Sequence, residues 1–359
     1  MSKIEESIVI DAHLDLAYNA VVLDRDLEKP IAEIRTHERR HPPRDPNAGI
    51  ATVSLPALLE GSIAVIGASL YAAPRSKSHP QPVPTYRTPD EAHQLAVEQL
   101  DYYRRLNDER EDVRLLLDDT DLDGVLTSWE TENPKIGIFA VMEGADPIRD
   151  PDELAWWVER GLRGIGLSWS AGTRYAGGNA RPGGLTDDGH DLLDAMADFH
   201  LLLDVSHLWV DAAFEALNRY PGPVVATHAN PRAFVESPRM LSDDMILAIA
   251  ERGGVIGIIP YNRMLDPEWR FGEPRLPLAR MAHAIDHVCQ LTGEASFVGI
   301  GSDLDGGFGL RSIPIELDSI ADLPKLRAIL GERGYGQDDV NRIMAGNWRR
   351  VMTEVLDAM

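Results

Sequence analysis

An α/β fold of the (β/α)8 TIM-barrel type, with long βα loops and extra C-terminal helices, is the class this sequence predicts. Three observations carry the prediction. Eight apolar runs rich in Val, Ile, Leu and Gly lack the alternation of a half-exposed sheet, as parallel strands buried on both faces do. Helical segments separate nearly all of them, which is the rhythm of an α/β protein. The 359 residues hold eight such units, and no change of composition or flexible linker marks a second domain, so residues 1–359 read as one barrel.

In chain order, the first strand covers residues 8–13, inside the stretch IVIDAHLDLAYN. Residues 23–48 are polar, with proline and arginine, and read as a long loop. A short helix over 54–60 precedes the second strand, 62–71. The segment 73–87 carries Pro74, Pro80, Pro82 and Pro84 and is a loop, because proline fixes φ and lacks an amide donor. Residues 89–107 have helical periodicity, with Asp90 and Glu91 in the first turn and Arg104 and Arg105 near the end, where the helix dipole favours those signs. A small extra strand and helix follow at 113–117 and 122–133. The remaining strands are 135–145, 161–169, 200–207, 223–228, 254–261 and 296–303. Helices over 151–160, 187–199, 210–218, 242–252 and 278–292 connect them, and two terminal helices occupy about 318–333 and 337–358.

Composition excludes several function classes. Thirty-five Lys and Arg stand against 58 Asp and Glu, a formal net charge of −23, which repels phosphate backbones and argues against a nucleic-acid partner. The single cysteine, Cys289, allows neither an intramolecular disulfide nor a thiolate cluster, so any metal site must use His, Asp and Glu. The opening MSKIEESIVIDAH lacks the basic segment and long apolar core of a secretory signal, and no run approaches the ~18 apolar residues of a membrane span. The expectation is a soluble, cytoplasmic protein with no membrane partner.

Barrel active sites lie at the C-terminal ends of the strands, so what each strand ends in matters. The first ends in His13 and Asp15, the third in Glu143, the fifth in His207, the sixth in His228 and the eighth in Asp303. Asp11, His13 and Asp15 alternate onto one strand face. Taken singly, each has a structural alternative: a strand-end histidine can be a hydrogen-bonded core residue, and Glu143 or Asp303 can serve a turn or a helix cap. Their convergence on one rim favours a metal site instead. Imidazole and carboxylate donors of this number suit a pair of Zn²⁺ ions with a bridging carboxylate. Such a pair can share a hydroxide and clamp a tetrahedral intermediate.

These residues resemble the membrane (renal) dipeptidase family of dinuclear zinc peptidases, within the amidohydrolase-type barrels. The likeness runs through DAHLDL, MEGA, LLLDVSHL, ATHANPRAF, GVIGIIPYN, VGIGSDLDGG and NRIMAGNWRRVM, nearly the whole chain. It implies that His13 and Asp15 bind one Zn²⁺ and His207 and His228 the other, two per subunit, with Glu143 bridging. It implies that Asp303 is the acid/base, that Arg232 holds the substrate carboxylate, and that Tyr71 and Tyr261 line the pocket. It further implies cleavage of dipeptides, L,D-dipeptides included, by a metal-bridging hydroxide, and a homodimer by family analogy.

One position departs from the family pattern. After the fourth strand, Trp169 stands where the dipeptidases place a substrate-binding histidine. Indole has one N–H donor and no charge, and losing an oxyanion donor costs on the order of 10²–10³ in kcat. Arg174, Tyr175 and Asn179 in the next loop are candidates to replace it. Two other readings stay open: hydrolysis of another small amide, an N-acyl amino acid or a lactam, and a metal-binding paralogue without catalysis. Asp11 and Asp204 either orient imidazole rings or are plain strand polarity. For the remaining histidines (His37, His41, His79, His93, His190, His283, His287) surface or core roles suffice.

Overall fold

The strands of the computed structural model, which describes residues 6–43, 45, 48–75 and 83–358, follow the apolar runs closely. They are β1 (Val9–Leu14), β2 (Ile63–Tyr71), β3 (Val113–Leu115), β4 (Ile136–Glu143), β5 (Leu162–Gly166), β6 (Ala176–Gly178), β7 (Arg181–Leu185), β8 (Leu202–Asp204), β9 (Val224–Val225), β10 (Ile256–Ile258) and β11 (Val298–Ile300). Every residue of β2 and β4 is buried, as the unbroken apolar runs require. The parallel order is β10-β11-β1-β2-β4-β5-β8-β9, and a parallel bridge between Ala226 and Ile256 joins the two ends into a closed ring. β3 stands outside that ring. It pairs with the first half of β4, and β5 pairs with the second half.

Alternation along each strand sorts its side chains between two cores. In β4, Ile136, Ile138, Ala140 and Met142 pack outward with the surrounding helices. Phe139 and Val141 join a second cluster that gathers residues of β1, β2, β4, β8 and β9 with Trp348 of the terminal helix Asn347–Leu356. Glu143 ends this inward row, so the barrel interior is apolar below and turns acidic at its rim. The ring is narrow at one point. A Cβ on Gly257 or Gly301 would lie 1.9 or 1.7 Å from the Thr227 carbonyl oxygen, so only glycine lets β10 and β11 close beside the strand that carries His228.

The helices start where the sequence offers caps. Ser54, Thr88, Thr186 and Ser242 each accept an amide of the first turn with the side-chain oxygen. Gly293 closes Ala279–Thr292 in the left-handed conformation at φ 82°.

Four features differ from the sequence reading. The stretch 23–48 contains a helix, Ile31–Glu38, which Arg35 ties down through Ala51 O at 2.8 Å and Asp318 Oδ2 at 2.8 Å. The Gly-rich stretch after β5 is a hairpin, β6–β7, because Gly177 and Gly178 pass within a Cβ's reach of neighbouring backbone. The helix expected at 318–333 divides into a 3₁₀ segment, Ile320–Lys325, which contains Pro324, and Leu326–Glu332. The last helix is interrupted by a π segment, Arg342–Gly346. Residues 76–82 of the proline-rich loop, with Pro80, Pro82 and His79, lie outside the described residues, as do the first five. Among the described residues, no helix is long and apolar enough to cross a membrane.

Candidate active site

Strand ends bring six side chains to one rim. His13 Nε2 lies 3.7 Å from Asp15 Oδ1 and 3.8 Å from Glu143 Oε2. The other oxygen of Glu143 faces a different pair: Oε1 is 3.1 Å from His207 Nε2 and 3.5 Å from His228 Nε2. Three overlapping sets result among the described residues, His13–Asp15–Asp303, Glu143–His207–His228 and His13–Asp204–His228, each with donor atoms within 4.8 Å of one another. The Ser69 hydroxyl, two residues before the end of β2, donates to Asp15 Oδ1 and fixes that carboxylate. Asp11 does not join the group. Its Oδ1 accepts the amides of Ser302 at 2.8 Å and His13 at 3.3 Å, tying β1 to the segment after β11.

The imidazoles are presented in one sense. Asn179 Oδ1, an acceptor, lies 3.0 Å from His207 Nδ1, so that nitrogen carries the proton and Nε2 keeps its lone pair. His228 Nδ1 lies 2.9 Å from Thr227 Oγ1. The Nε2 atoms of His207 and His228 then face each other 3.0 Å apart, and His13 Nε2 is buried with no hydrogen-bond partner among the described residues. Nitrogen lone pairs turned together beside a buried carboxylate are what a cation would satisfy, and this donor set fits Zn²⁺.

Electrostatics point the same way. Burial raises the Asp15 carboxyl to about 6 and pushes Glu143 and Asp303 well up, with neighbouring carboxylates adding to the shift for the last two. Burial, then the Arg239 charge, brings His13 down to about 3, and burial holds His207 and His228 well below the usual range. Without a cation the acids resist ionising and the imidazoles stay neutral. A bound divalent ion favours the ionised acids and the neutral imidazoles together.

A cavity of about 370 Å³ opens above this centre. Asp15, Glu143, His207 and Asp303 form its floor, with Tyr71, Trp169, Tyr261 and Arg239 on the walls. Trp169 packs between Tyr71 and His207, with ring centroids 5.2 and 6.0 Å away, and Tyr261 stacks on Phe308 at 4.4 Å. The Tyr71 hydroxyl is buried without a partner among the described residues, and burial holds its pKa well above the ordinary value, so it is a neutral donor facing the cavity. Asp303 adopts the left-handed region at φ 54°, a costly conformation for a non-glycine residue. Its loop is pinned from behind by Asp305, whose carboxylate accepts the Thr52 amide and hydroxyl at 2.9 and 2.7 Å and the Val53 amide at 3.0 Å.

Arg232 is not brought to the cavity. It donates to Met240 O at 3.0 Å and lines a neighbouring groove that Arg239 also lines. The chain after His228 folds back on itself, with Arg232 N donating to Leu241 O at 2.7 Å and Leu241 N to Asn230 O at 3.0 Å. That fold-back returns Arg239 beneath the rim, where its Nη2 donates to His228 O at 2.7 Å. The three loop residues considered as substitutes for the missing histidine are also placed elsewhere. Tyr175 is buried and donates to Ile148 O, Arg174 stacks on the Tyr175 ring at 4.5 Å, and Asn179 is committed to His207. Arg239, Thr227 and the orienting role of Asn179 had no signal in strand periodicity, because Arg239 and Asn179 sit in connecting segments and Thr227 lies in the bend just after β9.

The description "Membrane dipeptidase (Peptidase family M19)" matches residues 2–359. An uncharacterized protein in the pqqA 5′ region of Klebsiella pneumoniae is 32% identical over 233 residues, 62% of this chain and 84% of that protein. Dipeptidase tcpJ of Claviceps purpurea is 29% identical over 48% of this chain and 39% of its own length. Dipeptidase 3 of Rattus norvegicus is 22% identical over 76% of this chain and 54% of its own length, so the match spans about half or less of these two dipeptidases. Among solved structures, the probable dipeptidase PvdM from Pseudomonas aeruginosa superposes with a TM-score of 0.79 at 18% identity, covering 99% of this chain and 98% of that one. A metallopeptidase from Rhodobacter sphaeroides, liganded with a phosphinate mimic of the dipeptide L-Ala-D-Ala, superposes with a TM-score of 0.76 at 21% identity, covering 97% and 99%. These structures share the fold, and with a family match that runs from residue 2 to the last residue, the chain belongs to the membrane dipeptidase family of metallopeptidases.

Proposed function

We propose that this protein is a metal-dependent dipeptidase, one barrel domain over residues 1–359, that cleaves the peptide bond of dipeptides, L,D-dipeptides among them. The observation that carries the reading is the divided carboxylate of Glu143, one oxygen toward His13 and the other toward His207 and His228. His13 and Asp15 would hold one Zn²⁺, His207 and His228 the other, and Glu143 would touch both. A bound pair supplies Lewis acidity and a nucleophilic water near neutral pH.

The chain's own groups account for the rest. Asp303, half-buried at the cavity floor and with its pKa raised, holds a proton readily and is the group to receive one from the nucleophile and return it to the leaving amine. Arg239 takes the role first read for Arg232. Its guanidinium lies on the cavity wall and offers a charge-assisted fork to the free C-terminal carboxylate, which selects short substrates. The Tyr71 hydroxyl, without a partner, is positioned to donate to the oxygen that becomes negative, the role Trp169 is poorly suited to fill. Trp169 and Tyr261 supply apolar wall and exclude water. One observation favours a second reading, an N-acyl amino acid or another small amide as substrate: the indole of Trp169 narrows the cavity between Tyr71 and His207.

The test is a panel of dipeptides, N-acyl amino acids and lactams with Zn²⁺-loaded protein. Turnover of dipeptides is the expected result. Turnover of the other amides alone selects the second reading, and no turnover at all with metal bound rejects both.

A further inference from the structure

Thr227 precedes His228 in the bend that follows β9, and its hydroxyl contacts both halves of the centre. Oγ1 lies 2.9 Å from His228 Nδ1 and 3.3 Å from His13 Nδ1, while it donates to Asp204 Oδ2 at 2.5 Å. The two rings lie nearly face to face, with centroids 3.7 Å apart and planes 31° from parallel. A hydroxyl has one proton and two lone pairs. With its proton given to Asp204, Thr227 has two lone pairs for two imidazole N–H groups. Asp204 has no other choice of role. Its Oδ1 already accepts the Ser206 amide at 3.0 Å, the Ser206 hydroxyl at 2.5 Å and the Thr227 amide at 3.0 Å. Ser206 has therefore spent its own proton and cannot donate to Thr227, although the two oxygens are 3.4 Å apart.

We propose that Thr227 is a positioning residue whose single hydroxyl, polarised by Asp204, fixes His13 and His228 in the Nδ1–H form and so turns one Nε2 lone pair into each half of the metal centre. This rests on reading the cavity as a two-metal site. The third histidine is held independently, by Asn179, whose Nδ2 donates to Ser170 Oγ at 3.3 Å and whose Oδ1 faces His207 Nδ1. Loss of Thr227 thus acts on both metals, whereas loss of Asn179 acts on one. Outer groups of this kind change metal affinity by roughly 10–100-fold when removed.

The experiment is a two-site Zn²⁺ titration of metal-stripped protein against a chromophoric chelator, with wild type, Thr227→Val, Thr227→Ser and Asn179→Ala. In parallel, long-range ¹⁵N–¹H correlation of ¹⁵N-histidine-labelled protein reads the tautomers directly. The expected result is a fall of ~10–100-fold at both sites for T227V, at one site for N179A, and recovery in T227S. In T227V the resonances of His13 and His228 lose the pure Nδ1–H pattern. Folding is checked by circular dichroism, and T227S keeps the question answerable if T227V does not fold, since it retains the hydroxyl and must retain both the affinity and the tautomers. Two tight sites in T227V, or Nε2–H tautomers of His13 and His228 in wild type, would overturn the proposal. A wild type that takes up no metal would overturn the reading of the centre itself, which is a separate outcome.

Discussion

Arg239 and Arg232 make opposite predictions for one substitution each. Arg239 is 8% exposed, lines the cavity with Asp303 and Glu143, and is steadied by its bond to His228 O at 2.7 Å. Arg232 lines a neighbouring groove that Arg239 shares, has Met240 O as its partner, and does not line the cavity. If the Arg239 guanidinium holds the substrate carboxylate, Arg239→Gln removes one side of a desolvated charge pair, which costs about 2–5 kcal/mol. At about 3 kcal/mol, kcat/KM for a dipeptide falls roughly 10²-fold. The lost bond to a buried carbonyl also lowers stability, by about 1 kcal/mol, so the rate loss must be separated from damage to the fold. A substrate pair does this. Wild type should prefer a dipeptide over its C-terminal amide by roughly 10²-fold in kcat/KM, and R239Q should reduce that preference to about threefold or less. Arg232→Gln should leave the preference within about twofold of wild type, because a surface change away from the site moves little. The assay is steady-state hydrolysis of both substrates by Zn²⁺-loaded enzyme, with metal content measured on each sample. Loss of the preference in R232Q with its retention in R239Q would refute the assignment and return the carboxylate to Arg232.

Asp303→Asn should keep metal content unchanged and lower kcat by roughly 10²–10⁴, the range for loss of a general acid–base group. Gly306→Ala should mimic it, because the added Cβ falls 1.8 Å from Asp303 Oδ1 and must displace that carboxylate. A fully active G306A would show that the position of Asp303 does not matter. Tyr71→Phe should lower kcat by about 10²-fold without loss of metal, and Trp169→His in that background should recover part of it; an unaffected Y71F removes Tyr71 from the oxyanion role. Metal removal should lower stability against urea by about 4 kcal/mol for each occupied site at a free Zn²⁺ concentration 1,000 times Kd, restored on adding Zn²⁺; superimposable curves would argue against a metal bound to the native state. Burial raises the Cys289 thiol to about 11, so at pH 8 it stays protonated and a disulfide reagent should label it only after unfolding.

The strands and the rim were legible for one reason: a parallel barrel strand announces itself as an apolar run, and the residue that ends the run is aimed at the site by the strand itself. His13, Glu143, His207 and His228 each follow such a run directly, so their convergence needed only the fold class. Asp303 follows one too, although its left-handed backbone and the anchoring of its loop through Asp305 to Thr52 leave no mark on hydropathy. Where the chain leaves the strand, the argument loses its ruler. Arg232 is nearer to His228 in sequence, but the fold-back sealed by Leu241 N to Asn230 O carries the more distant Arg239 to the cavity instead. Asn179 was a glycine-flanked polar residue in what read as a loop, and only the β6–β7 hairpin sets its amide against His207.

The same reasoning explains why the orienting shell is harder to read than the ligands. A metal ligand at this rim must be His, Asp or Glu, because the single cysteine, Cys289, lies in the helix Ala279–Thr292 and not at a strand end, and few residues of those types end a strand. An orienting group needs only one acceptor at hydrogen-bond distance from an Nδ1, and serine, threonine, asparagine or a carbonyl would do. Thr227 therefore carries no distinguishing type. What distinguishes it is closure: Asp204 has no acceptor capacity wasted, Ser206 has no proton left, and the one remaining hydroxyl faces two imidazoles. That closure is a property of the pairing of β8 with β9, in which Leu203 and Asp204 stand beside Val224 and Val225. A register slip of one residue would turn Asp204 to the other face and leave both histidines without their shared acceptor. On the orienting role proposed for Thr227, the chemistry at the rim depends on the register of two short strands as directly as on the identity of the proposed ligands.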